Sequence, residues 1–218
     1  MRWHKSLAAV LLFSILFSAQ QASADILFTT GAMVEIASPA SFLEGDLESS
    51  SVISILDEGV KTLPGDIFVN AVGVGTHFGS AGTPVPVLAG TEVQTYLVHF
   101  DPLGAGFATL SGSVFFVPGE IILGIQTHTP WLDFSDAAVG DPLSTYPTGL
   151  LEFRALETLP GTDTTTIAPG LGSASFSLFA ELGIDQARIV TMPVPEPSTL
   201  TLLLGSAALL PICRRALS

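Results

Sequence analysis

Three histidines (His77, His99 and His128), 19 carboxylates and one serine–glycine cluster are the side chains between residues 25 and 193 that offer chemistry beyond packing. Zinc is held by His and Cys at short, regular spacings such as i, i+4 on a helix. None of the three histidines is spaced in that way, and the sole cysteine, Cys213, lies elsewhere. His99 and Asp101 are two apart, so on a strand they point the same way, as a carboxylate does when it orients an imidazole for proton transfer. Against that stands the role of Asp101-Pro102 as a strand-ending turn. Nucleophilic hydrolysis of the Gly-x-Ser-x-Gly kind has no matching motif; Ser111-Gly112-Ser113 comes nearest and sits in mid-strand, where no strained elbow is expected. Gly73-Val74-Gly75 lacks the Lys and the following helix that a phosphate loop needs. Among so many acids carboxylate pairs are numerous, but a pair suited to glycoside hydrolysis needs a defined separation, and the acids read as a solvated face. Calcium, which takes six to eight oxygens, fits Asp133-Phe134-Ser135-Asp136 and Glu44-Gly45-Asp46-Leu47-Glu48 better than catalysis does, although neither is an EF-hand loop. Asp133 and Asp136 are the candidate ligands, and calcium is the only cofactor the sequence suggests. Trp131, beside that loop, is the candidate aromatic platform for a sugar, with core packing as its competing role.

The elements that must position these residues read as strands. Glu92–Phe100 is rich in β-branched and aromatic residues, and Asp101-Pro102 ends it. In the next run Ala108, Leu110, Val114 and Phe116 alternate with Thr109, Ser111 and Ser113, the period of a half-buried strand. Further runs lie at Ser51–Leu56, Ile67–Val72, Ile121–Gln126, Ser173–Ala180 and Arg188–Thr191. Turn signals separate them: Asp57-Glu58-Gly59, Leu63-Pro64-Gly65-Asp66, Val117-Pro118-Gly119-Glu120 and Pro160-Gly161-Thr162-Asp163. Ser38–Ser51 and Trp131–Gly149 read as long loops, and the best helix candidate, Leu150–Leu159, reads equally well as a strand. The expectation is an all-β fold, a single antiparallel β-sandwich or jelly roll, with a closed barrel as the alternative.

Composition excludes some partners. Of the 218 residues 48% are hydrophobic and only 12% charged, and the net charge is −13. Phosphate backbones are bound by clustered Lys and Arg, so a nucleic-acid partner is excluded. Between residues 25 and 193 the asymmetry is sharper: Lys61, Arg154 and Arg188 face 19 acids, a difference of −16. Such a surface repels anionic polymers unless divalent cations bridge the two. With no cysteine in this part, packing rather than disulfides must hold it together.

The two ends carry much of the mean hydropathy of +0.58. Arg2 and Lys5 precede the apolar stretch Leu7–Phe17, and Ala22-Ser23-Ala24 follows, which is the order of a secretory signal peptide over residues 1–24 cleaved before Asp25. Ala22 and Ala24 are the small residues that signal peptidase accepts. At the other end Val194-Pro195-Glu196-Pro197-Ser198-Thr199-Leu200 leads into the apolar run Leu200–Cys213, then Arg214 and Arg215. The two arginines act as a cytoplasmic stop under the positive-inside rule. As a helix, residues 200–213 reach about 21 Å, short of a hydrocarbon core of roughly 30 Å, which suits a temporary anchor.

Pro195-Glu196-Pro197-Ser198, an apolar helix and a basic tail over residues 214–218 together resemble the PEP-CTERM sorting signal, here spanning residues 194–218. The middle of the chain is also similar to PEP-CTERM passenger domains through His99-Phe100-Asp101-Pro102, Ser111-Gly112-Ser113-Val114 and Ile122-Leu123-Gly124-Ile125. The resemblance implies a Gram-negative host that makes exopolysaccharide. It implies cleavage near Pro195-Glu196-Pro197 by an exosortase-like membrane protease, after transient anchoring in the inner membrane. Residues 25–193 are then a passenger exported to the envelope, cell surface or extracellular matrix. The expected role is structural or adhesive, without catalytic activity; the alternative is a polysaccharide-binding module that depends on calcium.

Overall fold

The computed structural model describes residues 26–104, 107–150, 154–157, 163–181 and 183–194. The leader with Ala22 and Ala24, and the segment from Pro195 to Arg215, lie outside the described residues. Residues Ala24–Pro193 form one compact unit. Among the described residues no helix is long and apolar enough to cross a membrane.

Among the described residues twelve strands and one helix follow in chain order: β1 (Ile26–Gly31), β2 (Met33–Ile36), β3 (Ile53–Thr62), β4 (Ile67–Val69), β5 (Gly75–Phe78), β6 (Val85–Val87), β7 (Glu92–Phe100), β8 (Phe107–Phe116), β9 (Ile121–Gln126), α1 (Thr129–Val139), β10 (Thr164–Ile167), β11 (Ser173–Glu181) and β12 (Asp185–Met192). One five-stranded sheet runs β1-β8-β11-β10-β5, the second runs β2-β3-β7-β12-β9, and β4 pairs with β6 alone. The described residues are therefore mostly β, with two five-stranded sheets, one two-stranded sheet and one short helix, consistent with the all-β sandwich that the strand periodicities indicate. Among the strands of the sheets the pairing departs from a wholly antiparallel pattern in one place: β2 runs parallel to β3, Met33 opposite Ile53. A parallel return needs a connection of a dozen residues or more, and the loop of residues 37–52 supplies it.

The two sheets bury a shared core. Val114, Phe116, Phe176 and Leu178 of the first pack with Ile55, Tyr96, Val98, Ile125 and Ile189 of the second, and the rings of Tyr96 and Phe116 lie 4.8 Å apart. Val114 and Phe116 are buried, with Ala108 and Leu110 packed beside them, so the alternation along β8 sets its inner face. The outer face of the second sheet is covered as well. Leu97 packs with Phe42 and Leu56, while Val190 and Val93 pack with Val69 and Val139. A sheet buried on both faces loses the in–out alternation, which is why Asp185–Thr191 is buried throughout.

Strands β1, β2, β5, β6 and β10 are not among the runs read from the sequence, and two further segments change type. Residues 131–139, the first part of the long loop Trp131–Gly149 of that reading, belong to α1. Its buried residues Leu132, Ser135, Asp136 and Val139 follow the i, i+3, i+4, i+7 spacing of one helical face. Two of the four are polar, so the stripe is periodic in burial and not in hydrophobicity. Asp57-Glu58-Gly59, taken as a turn, lies inside β3 as a bulge at which the register against β7 shifts. The turn chemistry is present: Gly59 has φ of 87°, and its N–H donates to Asp57 Oδ1 at 2.7 Å. In mid-strand it adds a residue instead of reversing the chain. Leu150–Leu159 is described only in part, and there Ala155 makes a single bridge to Gln186.

Candidate functional site

Two groups of carboxylates lie at opposite ends of a short stretch of β12, one around Arg188 and one around Asp185. The first gathers the cations. Arg188 is fully buried, and its Nε and Nη2 donate to the two oxygens of Glu58 at 2.7 and 2.9 Å. Nη2 also reaches Asp136 Oδ1 at 2.9 Å, and Nη1 reaches Ser135 Oγ at 2.5 Å. Arg154, buried as completely, grips both oxygens of Asp136 at 2.7 and 3.0 Å and Asp133 Oδ1 at 2.9 Å. The bulge in β3 carries Glu58 into this cluster, and the polar stripe of α1 supplies Ser135 and Asp136. Tyr146 donates its hydroxyl to Glu58 Oε1 at 2.7 Å, and its ring lies 5.5 Å from the Arg188 guanidinium. Lys61 Nζ donates to the carbonyls of Glu58, Val139 and Gly140 at 2.6–2.8 Å, capping the carbonyl end of α1 with positive charge. Burial pushes the Asp136 carboxyl up, but the hydrogen bonds and charges of Arg154 and Arg188 outweigh it and hold the group below its ordinary range. Burial also lowers Lys61. Lys61, Arg154 and Arg188 are thus all committed to internal contacts.

This geometry corrects the calcium assignment to Asp133 and Asp136. Their oxygens face guanidinium groups, which already neutralise them and would repel a cation. The second acidic stretch does not form a cage either. Gly45 N–H donates to Asp101 Oδ2 at 2.7 Å, Glu48 Oε1 accepts from Gly104 N–H at 3.0 Å, and Glu44, Asp46 and Glu48 are exposed.

The second group went unremarked in the sequence. Among the described residues, the acidic group whose ligand oxygens converge is Glu157, Asp163 and Asp185, all within 4.8 Å of one another. Asp185 opens β12 in one sheet; Asp163 immediately precedes β10 in the other and accepts the Phe179 N–H of β11 at 2.6 Å and the Glu157 N–H at 2.7 Å. Asp185 is 1% exposed, and Asp185 Oδ2 and Glu157 Oε2 are buried without a hydrogen-bond partner. Burial first, then the charges of Asp163 and Glu157, pushes the Asp185 carboxyl up to about 10. Burial and the neighbouring Asp163 push Glu157 up to about 8. Sequence offered no signal for this group: Asp185 stands beside Gln186 and Arg188, and nothing says that acids 6 and 22 residues apart along the chain meet.

The histidines do not converge. His77 contacts the Gly73 carbonyl at 3.2 Å, and the His128 ring lies tilted at 4.6 Å from that of Trp131. His99 Nδ1 accepts from Gln186 Nε2 at 2.9 Å; burial, aided by the Arg154 charge, lowers its pKa to about 4. His99 and Asp101 therefore serve different partners and form no dyad. Trp131 lies half-buried in the first turn of α1, against His128, and presents no open platform. Ser111 and Ser113 donate to or accept from Ser177 and Ser175 across the strand pair, at 3.2 and 2.7 Å. Gly112 between them lies where a Cβ would come within 2.7 Å of the Met33 backbone, so the cluster is a close-packed strand and not a nucleophile elbow.

Those serines belong to a larger pattern. The pairing places Thr30, Ser113, Ser175, Thr166 and Thr76 in one row across all five strands of the first sheet. Ser111, Ser177 and Thr164 form a second row, ending at Phe78. Phe28 and Phe115 stack beside the rows at 4.4 Å. Apart from Glu181 at the end of β11 and His77 in β5, the five strands contain no ionisable side chain. No protein family, curated protein or solved structure matches the chain.

Proposed function

We propose that this chain is an exported, non-catalytic structural or adhesive protein, sorted through an exosortase-like cleavage beside Pro195-Glu196-Pro197 to the cell envelope or polysaccharide matrix. The body is a β-sandwich of jelly-roll kind. The observation that carries the adhesive part is the hydroxyl face of the first sheet. In a unit with 19 acids and three internally committed cations, five strands present Ser and Thr in register, with phenylalanine rings beside them. Strands about 4.8 Å apart and side chains about 6.8 Å apart along each strand make a regular grid of donors and acceptors. Neutral polysaccharide is the polymer such a face suits, since it offers hydroxyls and apolar ring faces and meets no charge repulsion there.

Hydrolysis is less well supported. The converging carboxyl groups Glu157, Asp163 and Asp185 include Asp185, which is 1% exposed and out of reach of a sugar chain. The calcium-dependent sugar module built on Trp131 is weakened by the half-buried setting of that ring.

Two substitutions test sorting and adhesion separately. Alanine at Pro195, Glu196 and Pro197 is expected to leave an unprocessed, membrane-retained form; identical processing of variant and wild type on a gel refutes the sorting. Ser113→Lys with Ser175→Glu, which inserts paired charges into the grid, is expected to lower retention on the host's neutral polysaccharide at least tenfold with the melting temperature nearly unchanged. Equal retention refutes the adhesive face.

A further inference from the structure

We propose that Glu157, Asp163 and Asp185 form a binding site for a hard divalent cation, calcium before magnesium, that clamps the two sheets together at one end of the sandwich. This site is independent of the sorting and adhesive readings and differs from the acidic stretches that the sequence singled out.

Three observations carry it. The oxygens of the three carboxylates lie within 4.8 Å of one another. Calcium binds oxygen at 2.3–2.6 Å, so ligands facing each other across it stand roughly 4.6–5.2 Å apart, whereas magnesium at 2.0–2.1 Å draws them to about 4.2 Å. Oxygens no more than 4.8 Å apart can close on either ion, and magnesium, which demands near-ideal octahedral geometry and sheds water reluctantly, suits a buried carboxylate set less well than calcium does. The donor set is all carboxylate oxygen without His or Cys, which selects hard cations over zinc or copper. Finally, Asp185 Oδ2 is buried and unpartnered on a residue 1% exposed. A buried acceptor with nothing to accept from is costly, and here it is accompanied by a second, Glu157 Oε2.

The surroundings sharpen the contrast with ordinary buried acids. Elsewhere in this protein buried carboxylates are met by donors: Glu58 and Asp136 by Arg188, Glu120 by the Tyr96 and Thr191 hydroxyls, and Asp101 by the Gly45 N–H. No Lys, Arg or His is within ion-pairing distance of Glu157, Asp163 or Asp185 among the described residues, whose salt bridges all involve Arg154 or Arg188. Asp163 is already oriented by backbone donors, the Phe179 and Glu157 N–H groups, so it is held in place before any ion arrives. One cation would then tie Asp185 of β12 to Asp163 at the start of β10, joining strands of opposite sheets. Three carboxylates supply up to six oxygens, and water completes the shell. A site of few ligands falls in the weaker range of extracellular modules, on the order of 10⁻⁴–10⁻³ M.

The test uses the full-length chain in mild detergent, stripped with chelator, titrated calorimetrically with calcium chloride and then with magnesium chloride. Saturable binding of one calcium per chain is expected, with magnesium weaker. The melting temperature should rise by about 5–10 °C when calcium reaches 100 times its Kd. Asp185→Asn should weaken binding at least tenfold while raising the melting temperature in chelator, which shows that the variant folds. Asp133→Asn should bind calcium as wild type does. No saturable heat from either cation up to about 10 mM, ten times the weakest range above, overturns the site. So does an Asp185→Asn protein that binds like wild type, or an Asp133→Asn protein that loses the ion.

Discussion

Arg188 and Asp185 stand three residues apart on one buried strand, and the protein treats the charges around them in opposite ways. Around Arg188, each carboxylate is met by a guanidinium at 2.7–2.9 Å, and the whole cluster is satisfied through α1, the β3 bulge and Tyr146. Around Asp185, three acids meet with no cation of the chain beside them, and their oxygens are left partly unpartnered. The scarce cations have been spent in one place. With three basic residues in the folded unit, a second neutralised cluster needs positive charge from outside the chain. Burial alone thus does not define a structural acid; the identity of its counter-charge does.

Removing the counter-charge at the satisfied end should produce the largest effect. Arg188→Met leaves Glu58 and Asp136 buried with Arg154 as the only nearby guanidinium. Breaking a buried pair by deleting one partner costs about 3–5 kcal/mol, so chemical denaturation should show a loss of that size. A loss under about 1 kcal/mol would mean that the cluster is loosely held and that the two ends of β12 are alike after all.

The contrast was only partly legible in the sequence. Two strands of the first sheet, β8 and β11, could be read because one face is apolar and the other is open: Val114 and Phe116 point in, Ser111 and Ser113 point out; the shorter β1, β5 and β10 stand outside the runs read from the sequence. Helix α1 could not, because half of its buried face is Ser135 and Asp136, and their burial makes sense only once Arg188 is known to face them. Asp57-Glu58-Gly59 has the local chemistry of a turn, and only the pairing with β7 makes it a bulge. Asp133 and Asp136 showed the spacing of loop ligands, yet spacing does not reveal that Arg154 sits over both. The triad was hidden for a different reason. Glu157, Asp163 and Asp185 come together through the meeting of two sheets, a long-range relation that no local pattern encodes.

Protons should separate the two ends next. His99, joined to Gln186 on the same strand, has its pKa lowered to about 4 from 6.5. The unfolded chain therefore binds the extra proton first, and this contribution to stability should fall as pH drops from about 6.5 to 4, by up to about 1.4 kcal/mol per pH unit for one such group. Asp185 and Glu157 have raised values, so here the folded state holds the protons. In chelator their contribution is intact below the ordinary carboxyl range near 4 and is lost as pH rises towards about 8 and beyond. In chelator the two contributions oppose each other between about pH 4 and 6.5, so the variants separate them in melting profiles: His99→Phe should steepen the loss of stability with rising pH in that window, and Asp185→Asn should flatten the alkaline limb that continues towards about 8 and beyond. If Asp185→Asn leaves the alkaline limb unchanged, the acids there are already neutralised and the comparison fails.

The smallest effect should come from the most exposed member of the satisfied cluster. Asp133 keeps 22% of its side chain open to solvent and gives Arg154 a single contact at 2.9 Å, whereas Asp136 binds the same guanidinium through both oxygens and is 5% exposed. Solvent screens the outer pair, and Arg154 keeps its buried partner when the outer one goes. Pairs of this kind contribute about 0.2–1 kcal/mol, so Asp133→Asn should shift the melting temperature by no more than about 1–4 °C. It should also leave both pH-dependent contributions where they were. A larger loss would place Asp133 among the residues that hold Arg154 inside the protein, and the neutralised region would then extend to the surface of α1 instead of ending at Asp136.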